Sequence, residues 1–208
     1  MAANPKKLFT IPNIISMARV AMIPLFSWAF FTGKEILALV VVIVSGISDR
    51  LDGVIARKYD MISETGKWLD PMADKFTQIA LALIMFLRFY NSADSMMRFT
   101  GWVFLGFIAK EVVMLLFALT MLLTHKRPAA AEVWGKAATT AFYIVMGLLL
   151  FAGPDVGILA RYFDGLCMWP WLATTLVVIT LALMVVAFLS YIPDTYRKFF
   201  KEGKEEKE

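Results

Sequence analysis

The 208-residue chain contains one cysteine, Cys167, and one histidine, His125. A lone cysteine excludes an intrachain disulfide and a cysteine-rich metal site, and a lone histidine excludes a His-based zinc centre and a Ser-His-Asp triad. Charge is scarce as well: 18% of residues are Asp, Glu, Lys or Arg while 60% are apolar, and the mean hydropathy is +0.69. That balance excludes an ordinary water-soluble domain, which is about half apolar and one quarter charged. No internal repeat is visible, and no polar stretch is long enough for a second, soluble domain, so residues 1–208 read as a single membrane domain. The N-terminus lacks a short apolar core followed by a small-residue cleavage site, so the first apolar run reads as a retained span. The formal charge of +4 does not point to nucleic acid, because the basic residues flank apolar runs, where anionic lipid head groups account for them.

Six apolar segments are long enough to cross a hydrocarbon core of about 20 helical residues. They are Ile14–Phe31, Ile36–Lys58, Trp68–Leu87, Phe99–Leu123, Val133–Ala152 and Trp171–Tyr191. The expected fold is all-α, a polytopic integral membrane protein with six transmembrane helices. Twelve Lys and Arg residues fall on one side (Lys6, Lys7, Arg57, Lys58, Lys67, Lys126, Arg127, Arg197, Lys198, Lys201, Lys204, Lys207) and four on the other (Lys34, Arg88, Arg98, Arg161). The positive-inside rule then makes both termini cytoplasmic. Trp102, Trp134, Trp169 and Trp171 lie near span ends and read as an interfacial belt, the methionines as gap-filling core residues, and the tail after Arg197 as a frayed amphipathic end on the membrane.

Asp49, Arg50, Asp52, Asp70 and Asp74 interrupt the second and third spans. A charge near the bilayer centre costs roughly 3 kcal/mol on insertion scales, so a group of them implies a polar cavity. Asp49 and Asp52 are three residues apart and Asp70 and Asp74 four apart, which puts each pair on one helix face. A turn over Lys58–Thr65 returns the chain, so the four carboxylates converge near the cytoplasmic ends of two antiparallel helices. Four close carboxylates repel one another unless protonated or bridged by cations. Oxygen-only ligands favour Mg, Mn or Ca over zinc, and a site shared with phosphate favours Mg or Mn. Gly53, Ala56 and Gly66 leave room for a bulky ligand beside the backbone. The alternative is a set of structural ion pairs with Arg50, Arg57, Lys67 and Lys75.

The whole pattern is Asp49-x-x-Asp52-Gly53-x-x-Ala56-Arg57, eight residues, then Gly66-x-x-x-Asp70-x-x-x-Asp74. It resembles, without a departure, the signature of the CDP-alcohol phosphotransferase family. That resemblance implies six transmembrane helices, a homodimer, and transfer of a phosphatidyl or related group from a CDP-linked donor to an alcohol with release of CMP. It implies a two-metal centre of Mg or Mn held by Asp49, Asp52 and Asp70, with Asp74 as a further ligand and as general base. Asp52, Gly53, Ala56, Arg57 and Gly66 fall at the CDP-binding positions. The residue types suit those roles: Arg57 can hold phosphate in a bidentate fork, and Asp74 lies one helical turn from Asp70, within reach of an incoming hydroxyl.

Gly66–Lys75 (GKWLDPMADK) and Thr10–Pro24 (TIPNIISMARVAMIP) resemble the phosphatidylglycerophosphate synthase branch of that family. The expected reaction joins glycerol 3-phosphate to the phosphatidyl group of CDP-diacylglycerol. In the opening helix Asn13, Ser16 and Arg19 are spaced by three and share one face, as a nucleotide or acceptor surface or, alternatively, as a cap and a snorkelling arginine. A phosphate-bearing acceptor also needs a basic pocket, for which Lys110 and Lys136, with Arg19, are the candidates. Lys110 and Glu111 are adjacent and so are expected to point in different directions, Glu111 either in a structural pair or in a functional role. His125, Lys126 and Arg127 form a cytoplasmic loop that meets head groups or helps capture the acceptor. Departures from the branch at Lys110-Glu111 and after Lys136 leave cardiolipin synthesis from phosphatidylglycerol as the rival. A cation-coupled transporter is the rival from another class, disfavoured because the acids lie at one depth and the outer halves of the spans carry none. The expected location is the bacterial inner membrane, with membrane lipids around the chain and the site facing the cytoplasm.

Overall fold

The Thr10 hydroxyl accepts a hydrogen bond from the backbone N–H of Asn13 and starts the first helix, α1 (Ile11–Phe31), with Pro12 in its first turn, where no N–H is needed. The computed structural model describes residues 10–59, 66–123, 133–163 and 166–205. After α1 follow α2 (Glu35–Lys58), α3 (Gly66–Tyr90), α4 (Ser95–Leu123), α5 (Val133–Ala152), the short α6 (Ile158–Tyr162) and α7 (Pro170–Glu205). Among the described residues there is no strand.

The turns are set by local chemistry. Gly33 has φ +71° and closes α1, with the N–H of Lys34 donating to the carbonyl of Ala29 at 2.8 Å. Glycine takes that left-handed conformation without steric cost, so the chain reverses into α2 within three residues. Asp94 caps α4 by accepting from the backbone N–H of Met96 at 2.7 Å and of Met97 at 3.1 Å.

Contacts between helices fix their directions. Arg19 meets Asp49 across α1 and α2, Lys75 meets Glu111 across α3 and α4, and Arg50 meets Lys136 across α2 and α5. A second contact in each pair gives the direction: α1 turns into α2 at Gly33, Phe89 meets Phe104 across α3 and α4, and Gly46 meets Tyr143 across α2 and α5, so one position climbs as its partner descends and these neighbours run antiparallel. α4 and α7 run parallel, joined by Thr100 and Thr174, whose hydroxyls are 2.7 Å apart, and further along both helices by Gly106 against Leu181. The six long helices thus alternate in direction. One end of the bundle gathers the start of α1, the end of α2 and the start of α3; the opposite end gathers the α1–α2 turn, the end of α3 and the α5–α6 connection.

The interior is built from Phe26, Met85, Phe89, Phe104, Phe107, Phe142, Met146, Leu149 and Leu150, each 2% exposed or less. Phe104, Phe107 and Phe142 form a chain of ring contacts with centroids 5.5 to 5.6 Å apart, tying α4 to α5. Met85, Met97 and Met146 fill the core, as expected of these flexible side chains. The outside is equally apolar: Leu116, Ile144 and Val186, all mid-helix, are more than half exposed. Such surface is unsuited to water but matches hydrocarbon. Trp102, Trp169 and Trp171 are exposed towards the helix ends, consistent with an interfacial belt, while the side chain of Trp134 lies outside the description.

Four helices, α1, α4, α5 and α7, are long and apolar enough to cross a membrane. α2 and α3 match them in length, at 24 and 25 residues, but carry the charged signature at their facing ends. The boundaries expected from hydropathy agree with the helices to within a few residues, except at the C-terminus. There α7 continues as one helix of 36 residues to Glu205 and does not fray after Arg197. The helix α6 had no counterpart among the expected spans; five residues are too few to leave a hydropathy signal.

Candidate active site

The signature aspartates are carried on the last turns of α2 and the first turns of α3. Asp49 accepts a hydrogen bond from Nη1 of Arg19 at 2.7 Å, and Arg19, on α1, is 0% exposed. Asn13 and Ser16 are buried on the same face of α1, with the Ser16 hydroxyl donating to the carbonyl of Pro12 at 3.1 Å. The three-residue spacing therefore gives one inward face, and its arginine engages an aspartate of the signature and does not snorkel to the surface. Gly66, at the start of α3, is buried. The side chains of Asp52, Gly53, Ala56, Arg57, Lys67 and Asp70 lie outside the description, as do residues 124–132 with His125, Lys126 and Arg127.

Asp74 sits on α3, partly buried. Its Oδ1 accepts from Nε2 of Gln78, one turn further along, at 2.8 Å, and its Oδ2 lies 3.7 Å from Nζ of Lys75. Lys75 in turn reaches α4, where its Nζ is 2.9 Å from Oε2 of Glu111, a side chain 1% exposed. Lys110 also pairs with Glu111. This corrects the expectation that these two adjacent residues point apart: the Cα–Cβ directions diverge by about 100°, but the flexible lysine stem folds back onto the carboxylate of its neighbour. Glu111 thus joins two lysines and ties α3 to α4.

The alternative of structural pairing within the signature is met only in part. Arg50 is exposed and donates to the backbone carbonyl of Lys136 at 2.9 Å, not to a carboxylate. Lys136 itself is exposed on α5, whereas Lys110 is partly buried and paired with the buried carboxylate of Glu111. The described structure does not show these two lysines, proposed as one basic pocket, sharing a partner.

Three residues near the aspartates carried no signal in the sequence. Tyr143 of α5 lies partly buried against α2, and its buried hydroxyl is within electrostatic reach of Asp49, Asp74 and Arg19. Gly46 makes room for it: a Cβ there would stand 3.1 Å from Cγ of the tyrosine ring. The hydroxyls of Tyr143 and Ser45 are neighbours, both buried and neither in a well-aligned hydrogen bond among the described residues. Gln78, the third, was legible only as a polar residue one turn after Asp74. A crevice of about 10 Å³ beneath Arg19, lined by Ser45, Thr77 and apolar groups of α1–α3, is of the size of a single water.

Among the described residues no group of three or more acidic, His or Cys side chains forms a metal cluster. Asp49 and Asp74 are the described half of the expected donor set, and both offer carboxylate oxygens at the polar end of the bundle. That chemistry suits a hard divalent cation better than zinc.

A profile of the CDP-alcohol phosphatidyltransferase family matches residues 9–188. The chain belongs to that family: it is a transferase of phospholipid biosynthesis with membrane helices. Among its relatives is a protein of Streptomyces coelicolor named cardiolipin synthase (CMP-forming), 34% identical over 152 residues, 70% of this chain and 67% of the relative. CDP-diacylglycerol–glycerol-3-phosphate 3-phosphatidyltransferases of Pectobacterium atrosepticum and Escherichia coli K12 are each 31% identical over 150 residues, 69% of this chain and 78% of the relative. Family membership sets aside the transporter reading, and because the relatives carry two different activity names, membership alone does not fix the acceptor alcohol.

Proposed function

We propose that the chain transfers the phosphatidyl group of CDP-diacylglycerol to the primary hydroxyl of glycerol 3-phosphate, giving phosphatidylglycerophosphate and CMP. The observation that carries this reading is the unbroken aspartate signature at the facing ends of α2 and α3, with Arg19 against Asp49 and Gln78 against Asp74. In this account Asp49, Asp52, Asp70 and Asp74 hold two Mg or Mn ions, which when bound neutralise the charge of the pyrophosphate. Gly53, Ala56 and Gly66 let the CDP moiety lie close to the helices, with Asp52 and Arg57 binding it.

The chain's own residues handle the acceptor. The hydroxyl oxygen attacks the diacylglycerol-side phosphorus as its proton passes to a carboxylate oxygen of Asp74, and the bond to CMP breaks. Gln78 fixes the rotamer of Asp74 by holding one of its oxygens, leaving the other to accept. Arg19, Lys110 and Lys136 are the cations assigned to the acceptor phosphate, and Asn13 and Ser16 continue the face of Arg19. The glycerol-3-phosphate relatives favour this acceptor; the Streptomyces relative favours a second reading in which phosphatidylglycerol is the acceptor and cardiolipin the product.

The reading places all six long helices across a bacterial inner membrane, both termini and the site in the cytoplasm, residues 1–208 as one domain, and two copies as a homodimer. It is tested by kinetics of the Lys136→Ala variant at saturating donor. KM for glycerol 3-phosphate should rise several-fold with the donor KM unchanged, and an unaltered acceptor dependence would remove Lys136 from the pocket.

A further inference from the structure

Among the described residues two acids outside the signature are buried, Glu35 and Glu111. Glu35, the first residue of α2, pairs with Arg161 at the end of the bundle opposite the aspartates, which corrects the expectation that the outer halves of the spans carry no acid. Glu111 is placed differently, because it shares a cation with the candidate centre.

Lys75 follows Asp74 on α3, and its ammonium has two carboxylate neighbours, Oε2 of Glu111 at 2.9 Å and Oδ2 of Asp74 at 3.7 Å. The other oxygen of Asp74, Oδ1, accepts from Nε2 of Gln78 at 2.8 Å, so Oδ2 is the one left for a further partner. An ammonium drawn fully onto Oδ2 would occupy that acceptor and set a positive charge where a cation or an incoming proton has to arrive. The two distances show the lysine held towards Glu111 instead. The glutamate is fixed in that position. Its side chain is 1% exposed, so its charge is answered by protein cations and not by water, and Lys110 of its own helix takes Oε1. Oε2 is thereby left to Lys75. A tie between α3 and α4 could be made at many facing positions; this one is made by the residue next to Asp74, so its strength decides where that ammonium sits.

We propose that Glu111 is a positioning residue for the candidate centre: by drawing the ammonium of Lys75 off Asp74, it keeps Oδ2 available to a divalent cation and to the proton of the acceptor hydroxyl. The proposal rests on the reading of Asp74 as metal ligand and base, and adds to it a buried residue of α4 that acts through Lys75.

The test reads Mn binding by the full-length protein in detergent, without substrate, from the electron paramagnetic resonance signal of the free ion, with melting temperature as a second readout. Glu111→Gln keeps the side-chain shape and removes its charge. Mn binding should weaken roughly tenfold, the scale of losing an outer partner in a metal site. Adding Lys75→Met to Glu111→Gln should return Mn binding to near the wild-type value. Adding Lys110→Met instead removes the same charge from the other oxygen of the glutamate, and should recover melting temperature without recovering Mn binding. Lys75→Met alone, which leaves the Lys110–Glu111 pair in place, should tighten Mn binding several-fold and keeps the test sound if Glu111→Gln folds poorly. Unchanged binding in either single variant, or equal recovery by the two lysine substitutions, would overturn the role of Glu111 and leave the aspartate reading standing. Mn binding that Asp74→Asn does not weaken would overturn that reading and the proposal with it.

Discussion

Asp49 and Asp74 are held by different kinds of neighbour, and substitutions should separate their roles. Asp74 has a neutral amide, Gln78, on one oxygen and a lysine at 3.7 Å from the other. Asp74→Asn keeps the shape and the Gln78 contact but removes the proton acceptor. Turnover should fall by about two to four orders of magnitude, the usual scale of general-base loss, with CDP-lipid binding largely retained. Wild-type turnover in that variant would exclude Asp74 as the base. Asp49 pairs with a guanidinium of 0% exposure, so Arg19→Ala removes that buried cation and should lower both stability and activity. The aspartates were legible because charges inside apolar runs stand out. Arg19 was legible by its spacing from Asn13 and Ser16, though its partner was not, because a pairing across thirty residues leaves no local pattern. Tyr143 and Ser45 were not legible at all: a tyrosine and a serine in apolar helices are ordinary until the neighbouring helix is in place.

Helix contacts give the next scale. Glu111 holds Lys75 on α3 and Lys110 on its own helix, so Glu111→Ala takes the carboxylate from two partly buried cations and leaves Lys75 only its 3.7 Å contact with Asp74. Breaking a buried pair from one side costs about 3–5 kcal/mol, so the purified variant should melt well below wild type. A melting point within 1–2 °C of wild type, a shift worth only about 0.5 kcal/mol, would show that the lysines find other partners. Between α2 and α5, Gly46 accommodates Tyr143. Gly46→Val should overpack that contact by about 1–3 kcal/mol, and Tyr143→Ala in the same chain should restore part of the loss. Additive losses in the double variant would contradict direct contact. Most helix boundaries were readable from hydropathy because the apolar runs end at charged turns. The length of α7 was not: its last residues are polar and helix-favouring, and hydropathy reports burial in lipid, not helicity.

At the scale of the whole molecule, the proposed reading takes the distribution of Lys and Arg to put the aspartate end of the bundle in the cytoplasm. Cys167 is a native reporter of that orientation: it is the single cysteine of the chain and is exposed in the connection between α6 and α7, at the end opposite the aspartates. A membrane-impermeant maleimide added to intact spheroplasts should label it, while labelling only after lysis would invert the topology. The alternating directions of the six long helices, the apolar outer surface and the polar end near Asp49 and Asp74 suit the proposed reaction, in which the donor would arrive from the lipid and the acceptor from water.

The central claim is most directly tested by CMP release from CDP-diacylglycerol by the purified protein with Mg or Mn, offered glycerol 3-phosphate or phosphatidylglycerol in separate reactions and repeated under chelation. The account predicts release with glycerol 3-phosphate, silenced by chelator and restored by the cation. Release with phosphatidylglycerol alone would contradict the acceptor assignment, and release that persists under chelation would contradict the assignment of the four aspartates as the metal-holding centre.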